Sequence, residues 1–237
     1  MSTTSSLFSQ NSSFHALNQQ FKNLSLTDCL NWTMWTFGDK VAQVTSFGPS
    51  GMIILDQLAK INPGVRVITL DTGYLFPETH DLWQEVERRF NIQLEVHKSE
   101  ITPLVQTQHY GPELWRSAPD QCCYLRKVLP LEQALTGLEA WITGIRRDQS
   151  DTRSDAPLIA WDKKHQMVKL NPLAYWDQRQ IWKYIYEHKL PYNRLHDQGY
   201  TSVGCAPCTQ PATHLNDERS GRWQGQSKTE CGIHLII

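Results

Sequence analysis

The chain carries almost no net charge. Its 237 residues hold 23 Lys and Arg against 24 Asp and Glu, a net charge of −1, so no overall field draws it to nucleic acid or to an anionic membrane, and a small ligand is the expectation. No apolar run approaches the roughly 20 residues that a bilayer-spanning helix needs. The chain also lacks an internal repeat, a Gly/Ser linker through its middle, and a glycine-rich loop ending in Gly-Lys-Ser/Thr. No basic start followed by an apolar run opens it, which sets the expectation of a cytoplasmic protein with reduced thiols rather than disulfides. Between Met1 and Gln20 there is no Lys, Arg, Asp or Glu. Such a Ser/Thr/Asn/Gln-rich stretch buries little apolar surface, so a flexible arm is expected over residues 1–21. The first basic residue after it is Lys22, and a transit peptide would carry arginines earlier.

Against these absences stand six cysteines. Cys122 and Cys123 are adjacent, Cys205 and Cys208 form a Cys-x-x-Cys pair, and Cys29 and Cys231 are single. Two close pairs of thiolates suit a tetrahedral zinc ion or a cubane iron–sulfur cluster, and spacing alone leaves both open, along with plain burial. Cys29 lies within Leu26–Trp35, which reads as an amphipathic helix, so a buried thiol is expected there.

From Lys40 onward, β-rich segments alternate with helical patterns. Val41–Phe47, Val65–Leu70, Leu94–His97, Trp141–Ile145 and Met167–Leu170 read as strands. Met52–Asn62, Pro77–Phe90 and Tyr124–Leu138 read as helices, with Pro77 suited to a first turn. Asp177 with Gln180 caps another over Ile181–His188. This is an α/β pattern, a parallel-type twisted sheet flanked by helices, whose ligand sits beyond the strand carboxyl ends. Two strand-end loops stand out. Ser46-Phe47-Gly48-Pro49-Ser50-Gly51 offers backbone N–H groups and hydroxyls at a helix start, where a phosphate can bind, although such a loop also serves as plain punctuation. Asp71-Thr72-Gly73 ends a strand where the carboxylate can take a ribose or base hydrogen, or merely cap the turn.

Together, Ser46-Phe47-Gly48, the run from Leu70-Asp71-Thr72-Gly73-Tyr74 to Glu78-Thr79, Gly144-Ile145-Arg146-Arg147-Asp148-Gln149-Ser150, and Glu230-Cys231-Gly232-Ile233-His234 resemble, in order, the signatures of the adenylyl-sulfate and phosphoadenylyl-sulfate reductases of assimilatory sulfate reduction. The resemblance runs from about Lys22 to His234. It implies an adenine nucleotide α-hydrolase-like fold over residues 22–211 and a mobile catalytic tail over 212–237. The loop at Ser46–Gly51 departs from the Ser-Gly-Gly-x-Asp-Ser wording of ATP-cleaving relatives, so pyrophosphate release is not expected. Family members with both cysteine pairs bind a [4Fe-4S] cluster and mostly use adenylyl sulfate. The resemblance therefore implies cluster ligation by Cys122, Cys123, Cys205 and Cys208, and this substrate, with the 3′-phosphorylated nucleotide as the alternative.

The same resemblance implies that Cys231 is the nucleophile, forming an S-sulfocysteine that reduced thioredoxin or glutaredoxin discharges as sulfite, for cysteine biosynthesis. A thiolate is required, and Lys228 is the cation nearest in sequence. The anionic sulfate needs cations around it, for which Lys127, Arg146, Arg147, Arg219 and Arg222 are the candidates. Arg219 and Arg222 would meet one anion from a helical turn. Lys127, four residues past Cys123, would share that ligand's helical face and stand between cluster and substrate. Ser46, Phe47, Gly48, Ser50, Gly51, Asp71, Thr72 and Gly73 complete the expected nucleotide contacts. An RNA-thiolating relative and a non-enzymatic zinc module are the rival readings, and the sequence leaves a homo-oligomer open.

Overall fold

In the computed structural model, which describes residues 11–214 and 217–234, the alternation of segments becomes a six-stranded sheet. The strands are β1 Val41–Val44, β2 Arg66–Asp71, β3 Leu94–Lys98, β4 Ala140–Ile142, β5 Ile159–Asp162 and β6 Met167–Leu170. Their order is β3-β2-β1-β4-β6-β5. β1 and β4 run parallel with Val41 opposite Ala140, and β4 and β6 run parallel with Ala140 opposite Val168. β5 is antiparallel to β6, with Ile159 opposite Leu170. β4 and β6 are buried along their whole length, the pattern of strands covered on both faces.

The helices are α1 Asn11–Phe21, α2 Leu26–Phe37, α3 Pro49–Ile61, α4 Pro77–Phe90, α5 Pro103–Tyr110, α6 Leu114–Ser117, α7 Pro119–Cys123, α8 Leu129–Ala134 and α9 Gln178–Glu187, among the described residues. Local chemistry accounts for their ends. The Ser25 hydroxyl accepts from the Asp28 N–H to start α2, and Pro77 opens α4 while Asn91 closes it in a left-handed conformation. Asp177 and Gln180 form the expected reciprocal capping box before α9.

The chain divides into two compact units. The first comprises residues 1–45, 49–67 and 137–190, the second 46–48, 68–136 and 191–237. In the first, Leu30, Ile53, Ile54 and Trp141 are buried in the core. The second has its own core, with Leu82, Val86, Leu131 and Leu135.

Three expectations are corrected. Of the arm expected over residues 1–21, residues 1–10 lie outside the described ones, and Asn11–Phe21 is not an arm but a helix, with Phe14 and Phe21 buried. These two aromatic residues, seven apart, supply the apolar face that the polar composition concealed. The helix expected over Tyr124–Leu138 is instead a π-helical turn Tyr124–Val128 followed by α8, which ends at Ala134, and α7 runs directly into the π-helical turn. Pro130 lies in the first turn of α8, where its missing N–H is tolerated. Finally, β5 was not expected at all.

Asn18 ties α1 to that strand. Its Oδ1 accepts from the N–H groups of Leu158 and Ile159 at 2.9 and 3.2 Å, and its Nδ2 donates to the Ile159 carbonyl at 2.7 Å. One side chain thus stands in for a neighbouring strand. An Asn18→Ala variant leaves those groups without this partner and should lose about 1–3 kcal/mol in urea denaturation. A loss near zero would show that the Asn18 contacts contribute nothing to stability.

Candidate active site

The cysteines implicated by the sequence come together in the second unit. Cys122 and Cys123 end α7, and Cys205 opens a short 3₁₀ turn Ala206–Cys208. The Ala206 N–H donates to the Tyr74 carbonyl at 2.7 Å, and Leu75 and Cys205 form an antiparallel bridge, which pins the Cys-x-x-Cys loop to the segment after β2. All six cysteines are free thiols. Cys122, Cys123, Cys205 and Cys208 line one cavity, closed by Trp115, Trp223 and Pro207. They surround it without converging on a point: among the described residues, no three His, Cys, Asp or Glu side chains are placed to hold a single metal ion.

Polar groups lie about these thiols: Thr72, one of the expected nucleotide contacts, and Gln106 and Arg126, which the sequence reading passed over. Gln106 Nε2 lies 3.9 Å from Cys122 Sγ, and Cys205 Sγ donates to Thr72 Oγ1 at 3.3 Å. Arg126, in the same Cys-Cys-x-x-Arg-Lys run as Lys127, is buried and donates to the Gln106 side chain and the Thr72 carbonyl. Its burial had no signal in the sequence beyond that run. Burial pushes the Cys123 thiol up to about 12 and the Cys208 thiol to about 11, and raises Cys122 as well, with the charge of neighbouring thiolates adding to the effect. Cys29, as expected, is buried elsewhere, its thiol raised to about 12 by desolvation.

Cys231 behaves in the opposite way. Burial disfavours its thiolate, but the Lys127 ammonium, the Ile233 N–H and the Arg222 guanidinium together hold the thiol below its ordinary pKa, against opposition from Glu230. Lys127 is correspondingly raised: burial works against its charge, and the thiolates of Cys205, Cys231 and Cys123 more than compensate. Lys228, the cation nearest in sequence, is instead engaged by Asp120. Arg219 and Arg222 share a hydrogen-bonded turn rather than a helix, the Arg222 N–H donating to the Arg219 carbonyl at 2.9 Å. Arg219 pairs with Glu230 at 3.3 Å and Arg222 reaches the Cys208 carbonyl at 3.4 Å, while both guanidinium groups lie over the Trp223 ring. Gly204 makes Arg222's position available, since a Cβ there would lie 2.3 Å from its guanidinium. Gly232 rests against Val128, so the tail is docked on the π-helical turn.

The remaining expected residues fall in two groups. In the second unit, Ser46, Phe47 and Gly48 form a strained loop in which Phe47 has φ 58° and packs against Trp83. Asp71 accepts from the Gly73 N–H at 2.9 Å and pairs with Lys98 at 3.0 Å. Burial opposes its ionisation, yet those two donors hold its carboxyl below the usual range. In the first unit, Ser50 and Gly51 start α3, and buried Arg146 donates from Nη1 to Ser50 Oγ at 2.7 Å. A Cβ at Gly144 would meet the Gly51 nitrogen at 3.0 Å, so glycine is what lets that loop approach the helix start. A guanidinium, a hydroxyl and a helix N-terminus together suit an anion. Arg147 donates to the Ala156 carbonyl at 2.8 Å and stacks on Tyr175.

Residues 40–211 match the phosphoadenosine phosphosulfate reductase domain. The chain belongs to that family. Among its relatives, the adenosine 5′-phosphosulfate reductase of Salinibacter ruber is 46% identical over 92% of this chain and 87% of its own length. That of Geobacillus kaustophilus is 45% identical over 88% and 89%. The crystal structure of phosphoadenylyl-sulfate reductase from Candida auris superposes with a TM-score of 0.75 at 33% identity, covering 84% of this chain and 96% of that one. In this reductase the expected α/β fold is borne out, and among the described residues no helix is long and apolar enough to cross a membrane.

Because Lys127 heads the charges favouring the Cys231 thiolate, Lys127→Gln should move the pH profile of Cys231 alkylation upward. The sign follows from a depressed pKa: thiolate is present above it, so removing the cation lowers the thiolate fraction at pH 7 and slows iodoacetamide labelling several-fold at that residue, read by peptide mapping. An unshifted profile would remove Lys127 from the activation of the thiol.

Proposed function

We propose that the protein reduces adenosine 5′-phosphosulfate to sulfite and AMP, with Cys231 as nucleophile and a reduced dithiol protein of the thioredoxin or glutaredoxin class as electron source. What supports this reading is the positive charge of Lys127 and Arg222 acting on Cys231, which helps to hold its thiol below the ordinary range; the substrate is taken from the relatives, which are adenosine 5′-phosphosulfate reductases. The Cys231 thiolate attacks the sulfur of the sulfate, an S–S bond forms as the bond from sulfur to the bridging phosphate oxygen breaks, and AMP leaves. Lys127 and Arg222 lessen the repulsion between the thiolate and the sulfuryl oxygens. A thiolate of the external dithiol then attacks Cys231 Sγ and expels sulfite, and its second thiol frees Cys231 while the donor closes to a disulfide. The two electrons come from that donor. Ser50 and Arg146 are assigned to a nucleotide phosphate.

The four soft sulfur donors that line one cavity fit a [4Fe-4S] cluster, one thiolate to each iron. Cys122, Cys123, Cys205 and Cys208 would hold it, giving up their protons as they bind. When bound, the cluster supplies a fixed charge and cross-links α7 to the Cys205–Cys208 turn, and it transfers no electrons in this scheme. Lys127 then orients the field at Cys231.

Sulfite release with reduced thioredoxin, measured separately for adenosine 5′-phosphosulfate and its 3′-phosphorylated form, tests the reading. Adenosine 5′-phosphosulfate should be turned over, and without dithiol a mass increase of one SO₃ should appear at Cys231. Cys231→Ser should release no detectable sulfite. Turnover of only the 3′-phosphorylated nucleotide would transfer the substrate assignment to that compound, and wild-type turnover retained in Cys231→Ser would refute the mechanism.

A further inference from the structure

Phe47 is held in a conformation that its side chain disfavours. Its φ of 58° lies in the left-handed region, an outlier for a bulky residue, and it is 1% exposed. Ser46 before it is exposed and Gly48 after it half-buried, so the aromatic ring turns inward while its neighbours remain towards the surface. A Cβ at Gly48 would meet no atom within 4 Å, so the loop borders open space. Strain of this kind collects where a backbone is shaped for a ligand, and it persists only when the surroundings enforce it.

Trp83 meets the Phe47 ring, with 5.9 Å between ring centres and a tilt of 56°. It is 9% exposed, and its indole N–H is buried without a hydrogen-bond partner among the described residues. A buried donor left unmatched is a second unfavourable feature, in contact with the first. The indole is thus fixed by packing, against Phe47 and against His80, whose ring meets it nearly edge-on at 4.8 Å.

The support under Trp83 is firm. His80 and Trp83 lie three residues apart on α4, one above the other. Thr79, Leu82 and Val86 of that helix are buried, and the Thr79 hydroxyl accepts from the Asn193 side chain at 3.0 Å. His80 also acts on the other strand-end loop: burial opposes the ionisation of Asp71, and an imidazolium at His80 joins the Gly73 N–H and Lys98 in favouring it. One face of α4 therefore serves both Ser46–Gly48 and Asp71–Gly73.

We propose that Trp83 is a positioning residue for the nucleotide: braced by His80 and α4, it holds Phe47 in the left-handed conformation and so gives the Ser46–Gly48 loop the shape that receives the nucleotide. This rests on the substrate reading made above. The two local costs then have one explanation. An unmatched indole N–H and a strained phenylalanine are tolerated because together they preorganise the loop before the ligand arrives. Trp83 does not line the cysteine cavity, so the chemical step should not feel its loss once nucleotide is bound.

Calorimetric titration with AMP, together with steady-state sulfite release from adenosine 5′-phosphosulfate, tests this on the anaerobically purified full chain. Trp83→Leu, which takes away the ring, should weaken AMP binding and raise KM several-fold while kcat at saturating substrate stays unchanged. Trp83→Phe, which keeps a ring against Phe47 and removes the unmatched N–H, should restore AMP affinity and KM to wild-type values and melt no lower than wild type. In Phe47→Gly the backbone adopts this φ without strain but offers Trp83 no ring to hold, so AMP binding should weaken as it does in Trp83→Leu. A purely structural role gives another pattern, a lower Tm and a lower kcat with KM unchanged. That pattern, or wild-type AMP affinity in Trp83→Leu, would overturn the proposal while leaving the substrate reading intact. If Trp83→Leu does not fold, Phe47→Gly decides: wild-type AMP affinity sinks the proposal, and weakened affinity supports it. Wild-type protein that neither binds AMP nor releases sulfite would overturn the substrate reading and this proposal with it.

Discussion

Lys127 and Cys231 each favour the other's charged form, Lys127 with Cys205 acting on it more strongly still and Cys231 with the Ile233 N–H and Arg222 alongside. Each is an ion drawn away from water, and burial alone would neutralise both, depressing the ammonium and raising the thiol. The outcome is reversed because opposite charges lie in the same partly dry place, where Coulomb attraction is less screened than at the surface. The neighbouring thiols of Cys123 and Cys208, with burial unopposed by enough positive charge, move the other way. Lys127 lowers all three thiols, so what sets Cys231 apart is the Ile233 N–H and the Arg222 guanidinium acting with Lys127 against its burial.

The position of Lys127 depends on a local irregularity of the backbone. Cys122 and Cys123 end a regular helix, and Arg126 and Lys127 lie in the π-helical turn that follows. The turn is wider than an α-helical one, so the four-residue step from Cys123 to Lys127 does not repeat the simple same-face relation assumed from spacing. Arg126 ends among Thr72, Gln106 and Tyr74, and Lys127 feels the charges of Cys205 and Cys231. Wider turns of this kind occur often at functional sites, because they place consecutive residues in directions that a regular helix cannot.

The sheet strands that alternate with helices were legible because each is a short apolar run between turn signals: β6 matches its expected bounds, and α4 does so at both ends through Pro77 and Asn91. β5 escaped since Ile-Ala-Trp-Asp carries no period-two pattern and its shape depends on Asp162, whose side chain accepts from the N–H groups of Lys164 and His165 to make the turn into β6. α1 was hidden by its polar composition. At the site, residue types and order marked the four cavity cysteines and Cys231, but not which cation would serve the tail. Lys228 is three residues from Cys231 and is paired with Asp120, whereas Lys127 is distant in sequence and acts on it. Proximity along a chain is a weak guide wherever side chains have competing partners.

The docked tail is held by contacts of a particular kind. Arg219 with Glu230 and Lys228 with Asp120 are ion pairs, and the Asp120 side chain is 89% exposed, so that pair gains little against water. The tail adds few large apolar side chains between Ser220 and Cys231, Trp223 being the buried exception and the point where its firm attachment begins. The Arg219–Glu230 pair is by contrast largely buried, its side chains 12% and 11% exposed, so parting it needs both charges to regain water. The proposed reaction makes two demands on this segment. Sulfur attack requires Cys231 beside Lys127 and Arg222, whereas discharge requires an external protein thiol to reach Cys231 Sγ along the S–S bond, which a docked, partly buried thiol obstructs. The cations meet the first demand; because the adduct keeps a negative charge on its SO₃ group, they hold it as well, and the second demand is met only if the Arg219–Glu230 and Lys228–Asp120 pairs part beyond Trp223 for the donor thiolate to reach Sγ.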